Sequence, residues 1–321
     1  EKIAALQDEC DFWRFLQFEF YRELTALKDY AKSKKVALIG DIPIYVAYDS
    51  ADVWAHPEIF RLDKNMRPKE VAGVPPDYFS ADGQLWGNPL YDWKKQQSDG
   101  FLWWHHRLLH QLQFFDKIRI DHFRAFESYY AVPYGATTAK IGRWVKGVGT
   151  KIFDGLDLDG RIIAEDLGII TDKVRRLVKR TGFPGMKVFQ FAFDGKSDNE
   201  HLPENVRYNT VYYTGTHDND TLKGWYDALD DGTKEYVKKT LGATDENVFD
   251  KAFKRVMRSR AKFVIVPMQD YLLQGSEARM NTPGTNDGNW KYVLPKNYAK
   301  VKNRIRKYVR NRCSDSRARN K

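Results

Sequence analysis

Four acidic residues stand at or just beyond the ends of short apolar runs: Asp41 after Val36 to Gly40, Asp121 after Lys117 to Ile120, Glu165 after Arg161 to Ala164, and Asp218 shortly after Thr210 to Tyr213. Carboxyl groups in pairs are the machinery of glycosidic bond cleavage. One protonates the leaving oxygen, and the other attacks the anomeric carbon or activates water. A lone acid at a strand end often caps a helix; four at equivalent places in successive units suggest one shared site. In Arg119-Ile120-Asp121 side chains alternate along a strand. Arg119 and Asp121 are therefore expected on one face, roughly 6–7 Å apart, with Ile118 and Ile120 on the other. A guanidinium there favours an ionised carboxylate, as a nucleophile requires; a structural ion pair is the alternative. Glu165, in Ala164-Glu165-Asp166-Leu167-Gly168, is the candidate general acid, a role that needs a pKa raised by burial or by a nearby negative charge. Its alternative role is simply to bind Arg119. The run Thr214-Gly215-Thr216-His217-Asp218-Asn219-Asp220 has side chains eligible to bind a metal. No HExxH or other recognised metal pattern accompanies it, so no metal is expected. His217 and Asp218 fit better as hydrogen-bond partners of sugar hydroxyls, which both donate and accept.

These residues need a scaffold. Six apolar runs read as strands: the four above, Met186 to Phe191, and Phe263 to Pro267. Helical spacing appears at Phe12, Phe15, Leu16, Leu24, Leu27 and Ala31, again at Phe101, Trp104, Leu108, Leu112 and Phe115, and after Thr171-Asp172. Strand alternating with helix implies a parallel sheet. Acids gathered at strand ends suit a (β/α)8 TIM barrel, whose site lies at the C-terminal ends of its strands. Six βα units are visible, and the first two are expected to be missing from this chain. A doubly wound sheet is the alternative, although no glycine-rich phosphate loop supports it. Residues 1–312 are expected to form the catalytic barrel portion. Residues 47–100 form a long inserted loop region rich in Pro, Gly and aromatics, which reads as an ordered functional loop. Residues 313–321 are expected to be a disordered basic tail, ending a solvated terminal helix.

Composition narrows the function class. The net charge of +10 sits in one place: Lys296 to Lys321 holds 11 Lys or Arg and one acid, and the remainder has 42 of each sign. The charge therefore belongs to the C-terminal segment, and no nucleic-acid module accompanies it. No run of apolar residues is long enough to span a bilayer. The segment from Glu1 lacks the blocks of a signal peptide, and the absence of Met at position 1 reads as a fragment or trimmed chain. The two cysteines, Cys10 and Cys313, show no zinc or disulfide spacing, which points to a reducing cytoplasm.

The runs GDIPIYVAYDSADVW, VAGVPPDYFSADGQLWGNPLYDW, RIDHFRAFESYY, IIAEDLG, FPGMKVFQFAF, YTGTHDNDT and EARMNTPGT followed by GNW occur in order across most of residues 12–292. In these the chain resembles the amylomaltases, disproportionating 4-α-glucanotransferases related to the α-amylase superfamily. The resemblance implies a retaining (β/α)8 enzyme with no cofactor, which passes α-1,4-glucan segments from maltooligosaccharide donors to glucose or oligosaccharide acceptors. It implies Asp121 as nucleophile, Glu165 as acid/base and Asp218 as the third acid, with Arg119, His217 and Asp41 around the cleavage subsite. It also implies that Asp77, Tyr78 and Phe79, with Gln84 and Trp86 nearby, bind substrate from a loop over the acceptor cleft. The family's upstream half-barrel, with its SPYQ-type loop, has no match here. Val148 stands where the family often has the Pro of GPG, a change expected to matter little. An α-amylase-type hydrolase and an inactive sugar-binding fragment are the alternative functions.

Overall fold

The computed structural model describes residues 5–76, 81–285 and 287–319. Its contacts divide the chain into two compact units, Glu1–Phe183 and Pro184–Lys321.

In the first unit, helix α1 (Gln7–Ser33) leads to strand β1 (Ile39–Pro43). Strands β2 (Glu70–Val74) and β3 (Gln84–Pro89) follow, then helix α2 (Leu102–Phe114) and strand β4 (Lys117–Asp121). Strands β5 (Ser128–Pro133), β6 (Arg143–Lys146) and β7 (Ile162–Ala164) precede helix α3 (Asp172–Thr181). Strands β1, β4 and β7 pair in parallel, in that order. Ile118, Ile120, Ile163 and Ala164 are fully buried in this sheet, and Trp104 and Leu108 of α2 lie in the same core. Helix α3 is bounded as its sequence predicts. The Thr171 hydroxyl accepts from the Val174 N–H at its start, and Gly182 takes the left-handed conformation at its end. Helix α1 forms where the apolar spacing predicts. Ala31 is its buried residue, however, and Phe12, Phe15, Leu16 and Leu27 are exposed.

The inserted region is more regular than expected. Strands β2 and β3 join β5 and β6 in an antiparallel sheet of order β3-β2-β5-β6. Strands β2 and β5 are far apart in sequence, and each is short. Periodicity within either run gives no sign of the other.

In the second unit, strands β8 (Gly185–Val188), β9 (Thr210–Tyr213) and β10 (Phe263–Ile265) form a parallel sheet with β9 in the centre. Helices α4 (Leu222–Asp227), α5 (Asp231–Leu241) and α6 (Val248–Arg258) lie between β9 and β10 in sequence. Helices α7 (Met268–Leu272) and α8 (Lys302–Arg319) follow. The strand expected through Phe191 ends at Val188 and turns into a 3-10 segment, Phe189–Ala192. This turn buries Gln190, whose side-chain amide donates to the Asp220 carbonyl at 2.8 Å.

The backbone is helical through Arg319, past position 312 where order was expected to end, and the start of this helix is not simply solvated. Tyr308 is buried and donates to Asp250 at 2.7 Å. Arg312 donates to the carbonyls of Met257, at 3.0 Å, and of Ala261. Those carbonyls lie at and beyond the C-terminus of α6, where peptide oxygens lack helical partners and a cation is favoured. Part of the local positive charge thus has a structural use that composition does not reveal. No described helix is long and apolar enough to cross a membrane.

Candidate active site

Strand register builds the site of the first unit. In the β1–β4 pairing Asp41 lies beside Arg119 and Pro43 beside Asp121. In the β4–β7 pairing Ile120 lies beside Ala164, so Glu165 emerges one residue later, next to Asp121 in register. Asp121 and Glu165 are thereby brought to the C-terminal end of one parallel sheet, with Asp41 on the same sheet within β1, two residues before its end.

Arg119 is buried, and its guanidinium bridges two carboxylates. One terminal nitrogen contacts Asp41, and the other contacts Asp121 at 2.5 Å. Burial opposes the cation, but Asp121, Asp41 and Glu165 outweigh it and hold Arg119 above its ordinary range. Asp41 and Asp121 keep roughly two fifths of their side-chain surface exposed, 42% and 44%. Asp121 therefore has a cation on one side and remains accessible. The expected Arg119–Asp121 relationship is present, and Asp41 shares it.

Glu165 is placed differently. It is only 8% exposed. Its Oε2 accepts from the His122 backbone N–H at 2.8 Å, and its Oε1 accepts from the Leu167 N–H at 2.7 Å. Burial raises its carboxyl to about 7, reinforced by the negative Asp121. Arg119 and the two N–H donors act in the opposite direction. One carboxyl group thus carries an ion pair while its neighbour is tuned to hold a proton near neutrality. Glu165 is not merely an anchor for Arg119: its hydrogen-bond donors are backbone groups.

His122 is the main residue in this unit to which sequence assigns no role. Its backbone lies in the left-handed region, φ 53°, uncommon outside glycine, and its N–H is the donor to Glu165 Oε2. Its ring packs edge-on against Trp86 at 4.7 Å between centroids. Burial lowers the imidazole to about 3, with a further push from Arg124, so the ring is neutral at physiological pH. Trp86 lies on β3 and donates to the Gln84 side chain at 3.1 Å, which places both expected substrate contacts on one strand. Asp77, Tyr78 and Phe79 lie outside the described residues.

His217 and Asp218 belong to the second unit, in the loop between β9 and α4. Asp218 Oδ1 accepts from the Asn281 amide at 2.6 Å, and its backbone carbonyl accepts from Arg279 at 2.7 Å. Its other carboxylate oxygen lies 3.4 Å from His217 Nε2. The His217 ring sits 5.1 Å from that of Trp290, which is exposed and also has a positive φ. Arg279, Asn281 and Trp290 all fall within the EARMNTPGT…GNW run. The sequence motif contains them, but only folding attaches them to Asp218. Among the described residues no group of three or more His, Cys, Asp or Glu side chains could hold a metal ion.

Comparison with known proteins places this geometry in a family. The family model described as 4-alpha-glucanotransferase matches residues 1–297. The 4-alpha-glucanotransferase of Aquifex aeolicus is 46% identical over 312 residues, covering 96% of this chain and 64% of the relative. That of Clostridium butyricum is 48% identical over 295 residues, covering 89% and 60%. The amylomaltase of Streptococcus agalactiae, solved in complex with acarbose, superposes with a TM-score of 0.92 at 35% identity, over 96% of this chain and 63% of that one. The chain thus spans about three fifths of the length of these relatives. It has the α/β fold of an amylomaltase-like, glycoside-hydrolase-type protein. By the extent of these matches the chain belongs to the 4-alpha-glucanotransferase family.

Proposed function

We propose that this chain carries the catalytic residues of a 4-α-glucanotransferase that works by retaining double displacement. The observation that carries this reading is the unequal pair on one sheet: Asp121 ion-paired and accessible, Glu165 buried and raised to about 7. In the first step the Asp121 carboxylate attacks the anomeric carbon of an α-1,4-glucan. The glycosidic C–O bond breaks, its electron pair stays with the leaving 4-oxygen, and Glu165 supplies the proton. The product is a glucosyl ester on Asp121. In the second step the Glu165 carboxylate takes the proton of an incoming 4-hydroxyl, whose oxygen attacks the same carbon and displaces Asp121. Asp218 is read as the third acid, holding the distorted sugar. Arg119, His217 and Asp41 are read as substrate-binding residues of the cleavage subsite, and Asp77, Tyr78, Phe79, Gln84 and Trp86 as acceptor-side contacts.

Maltooligosaccharides and α-1,4-glucans are the proposed donors, and glucose or oligosaccharides the acceptors. The acarbose complex of the Streptococcus agalactiae amylomaltase supports a sugar-binding site in this fold. No step requires a cofactor. We read the six parallel strands as six of the eight of a (β/α)8 barrel whose first two strands lie outside this chain. The acids at the C-terminal ends of β4 and β7 support that reading. The cytoplasm is the proposed compartment, on the cysteine pattern alone.

Maltotriose tests the function. A transferase converts it to glucose plus oligomers longer than the starting sugar, whereas a hydrolase yields only shorter products. Shorter products alone would replace transfer by α-amylase-type hydrolysis.

A further inference from the structure

Thr214 and Leu222 bracket the loop that carries His217 and Asp218, and one buried carboxylate joins them. Asp270, on α7, is 1% exposed. Its Oδ2 accepts from the Thr214 hydroxyl at 2.6 Å, and its Oδ1 accepts from the Leu222 N–H at 2.7 Å. Leu222 opens α4, so this carboxylate also satisfies an N–H that has no partner inside its helix. A parallel tie comes from Thr221, whose hydroxyl donates to the Gln274 carbonyl at 2.8 Å.

The acid is costly where it stands. Burial pushes its carboxyl up to about 6, against the two hydrogen bonds it accepts, and nearby Asp220 adds to the rise. An apolar residue would fill the same space without that cost, but it could not join the two ends of the loop. Between those ends the chain is held largely by polar contacts, beside the ring contact of His217 with Trp290. Residues 216–220 are half-buried. Thr216 donates to the Asn219 side chain through both its N–H and its hydroxyl, each at 2.9 Å. The segment that supplies Asp270 at the loop base also supplies Arg279 and Asn281 to Asp218 itself.

We infer that Asp270 is a positioning residue, which sets the place of His217 and Asp218 by tying Thr214 to Leu222. Its effect on rate rests on the transferase reading above; its effect on the loop does not. With 1% of its surface exposed, it acts through the loop.

The test combines hydrogen–deuterium exchange with transfer kinetics on maltotriose, using the full chain and its Asp270→Ala, Asp270→Asn and Thr214→Val variants. Asn keeps an oxygen for the Leu222 N–H and an amide that donates to the Thr214 hydroxyl oxygen. Asp270→Ala is expected to speed exchange at 214–222 while protection of α6 is unchanged. A displaced catalytic group costs about a hundredfold, so kcat should fall by that order, with KM little changed. Asp270→Asn should restore most of both losses. If Asp270→Ala also strips protection from α6, Thr214→Val reads the same tie by removing one arm, and faster exchange at 214–222 is expected there too. Unchanged exchange at 214–222 in a variant that keeps α6 protected would overturn the inference. So would an Asn variant as impaired as Ala, or a loosened loop in an active protein with unchanged kcat. A wild-type chain without turnover would count against the transferase reading alone, because the exchange measurement still decides the role of Asp270.

Discussion

The backbone N–H of His122 donates to Oε2 of Glu165 at 2.8 Å, so the residue following one candidate carboxylate in sequence directly orients the other. This contact couples the end of β4 to the end of β7 more tightly than strand pairing alone.

The two carboxylates are expected to separate in trapping experiments. An activated donor such as α-glucosyl fluoride needs little protonation of its leaving group. Glu165→Gln should therefore accumulate a glucosyl adduct from it, visible by intact-protein mass, and turn that adduct over slowly. Asp121→Asn should form no adduct with any donor. An adduct on Asp121→Asn, or none on Glu165→Gln in an otherwise active protein, would reverse the two assignments.

Glu165 also ties stability to pH. Its folded-state carboxyl is raised from 4.5 to about 7, so folding favours the protonated form. That contribution is complete below about pH 4.5 and is lost as pH rises through about 7. At about 1.4 kcal/mol per pH unit, the loss amounts to roughly 3 kcal/mol. Urea denaturation from pH 4.5 to pH 8 should show this decline in the wild type and a flatter profile in Glu165→Gln. Over the same range the wild-type kcat/KM should fall above about pH 7, as the acid form disappears. Parallel stability profiles for the two proteins would mean that Glu165 is not held protonated by the fold.

Arg119→Met should destabilise the first unit by about 1–3 kcal/mol. The estimate sits below that for a fully buried ion pair because both carboxylates are partly in water. The loss comes mainly from leaving Asp41 and Asp121 beside each other without their shared cation. Adding Asp41→Asn should therefore recover part of the stability, but not the activity. The denaturation midpoints of the single and double variants provide the measurement, and strict additivity would argue against the bridge.

At Asp218 the contact to examine is Asn281. Replacing it by Ala removes a 2.6 Å hydrogen bond and should lower kcat by about tenfold, through poorer orientation. Asn281→Asp should be worse, because it sets a like charge against Asp218. Equal rates for wild type and Asn281→Asp would remove Asn281 from the site.

Residue type and order along the chain were enough to establish several things. The acids follow apolar runs, and strand alternation puts Arg119 and Asp121 on one face. The ordered motifs carry the family resemblance and nominate Asp121, Glu165 and Asp218. These features are local, set by side-chain chemistry and the period of a strand. Only the tertiary structure decided the rest, because it depends on groups distant in sequence. Burial separates Glu165 electrostatically from Asp121, and burial is a property of the packed sheet. Asp41 shares Arg119 because β1 pairs with β4 in one register. Asn281 reaches Asp218, and Asp270 joins Thr214 to Leu222, across 48 or more residues of chain. The antiparallel sheet of the inserted region and the seating of α8 against α6 arise in the same way. A hydrogen-bond partner that distant leaves no period or spacing in the sequence, so only the folded chain reveals it.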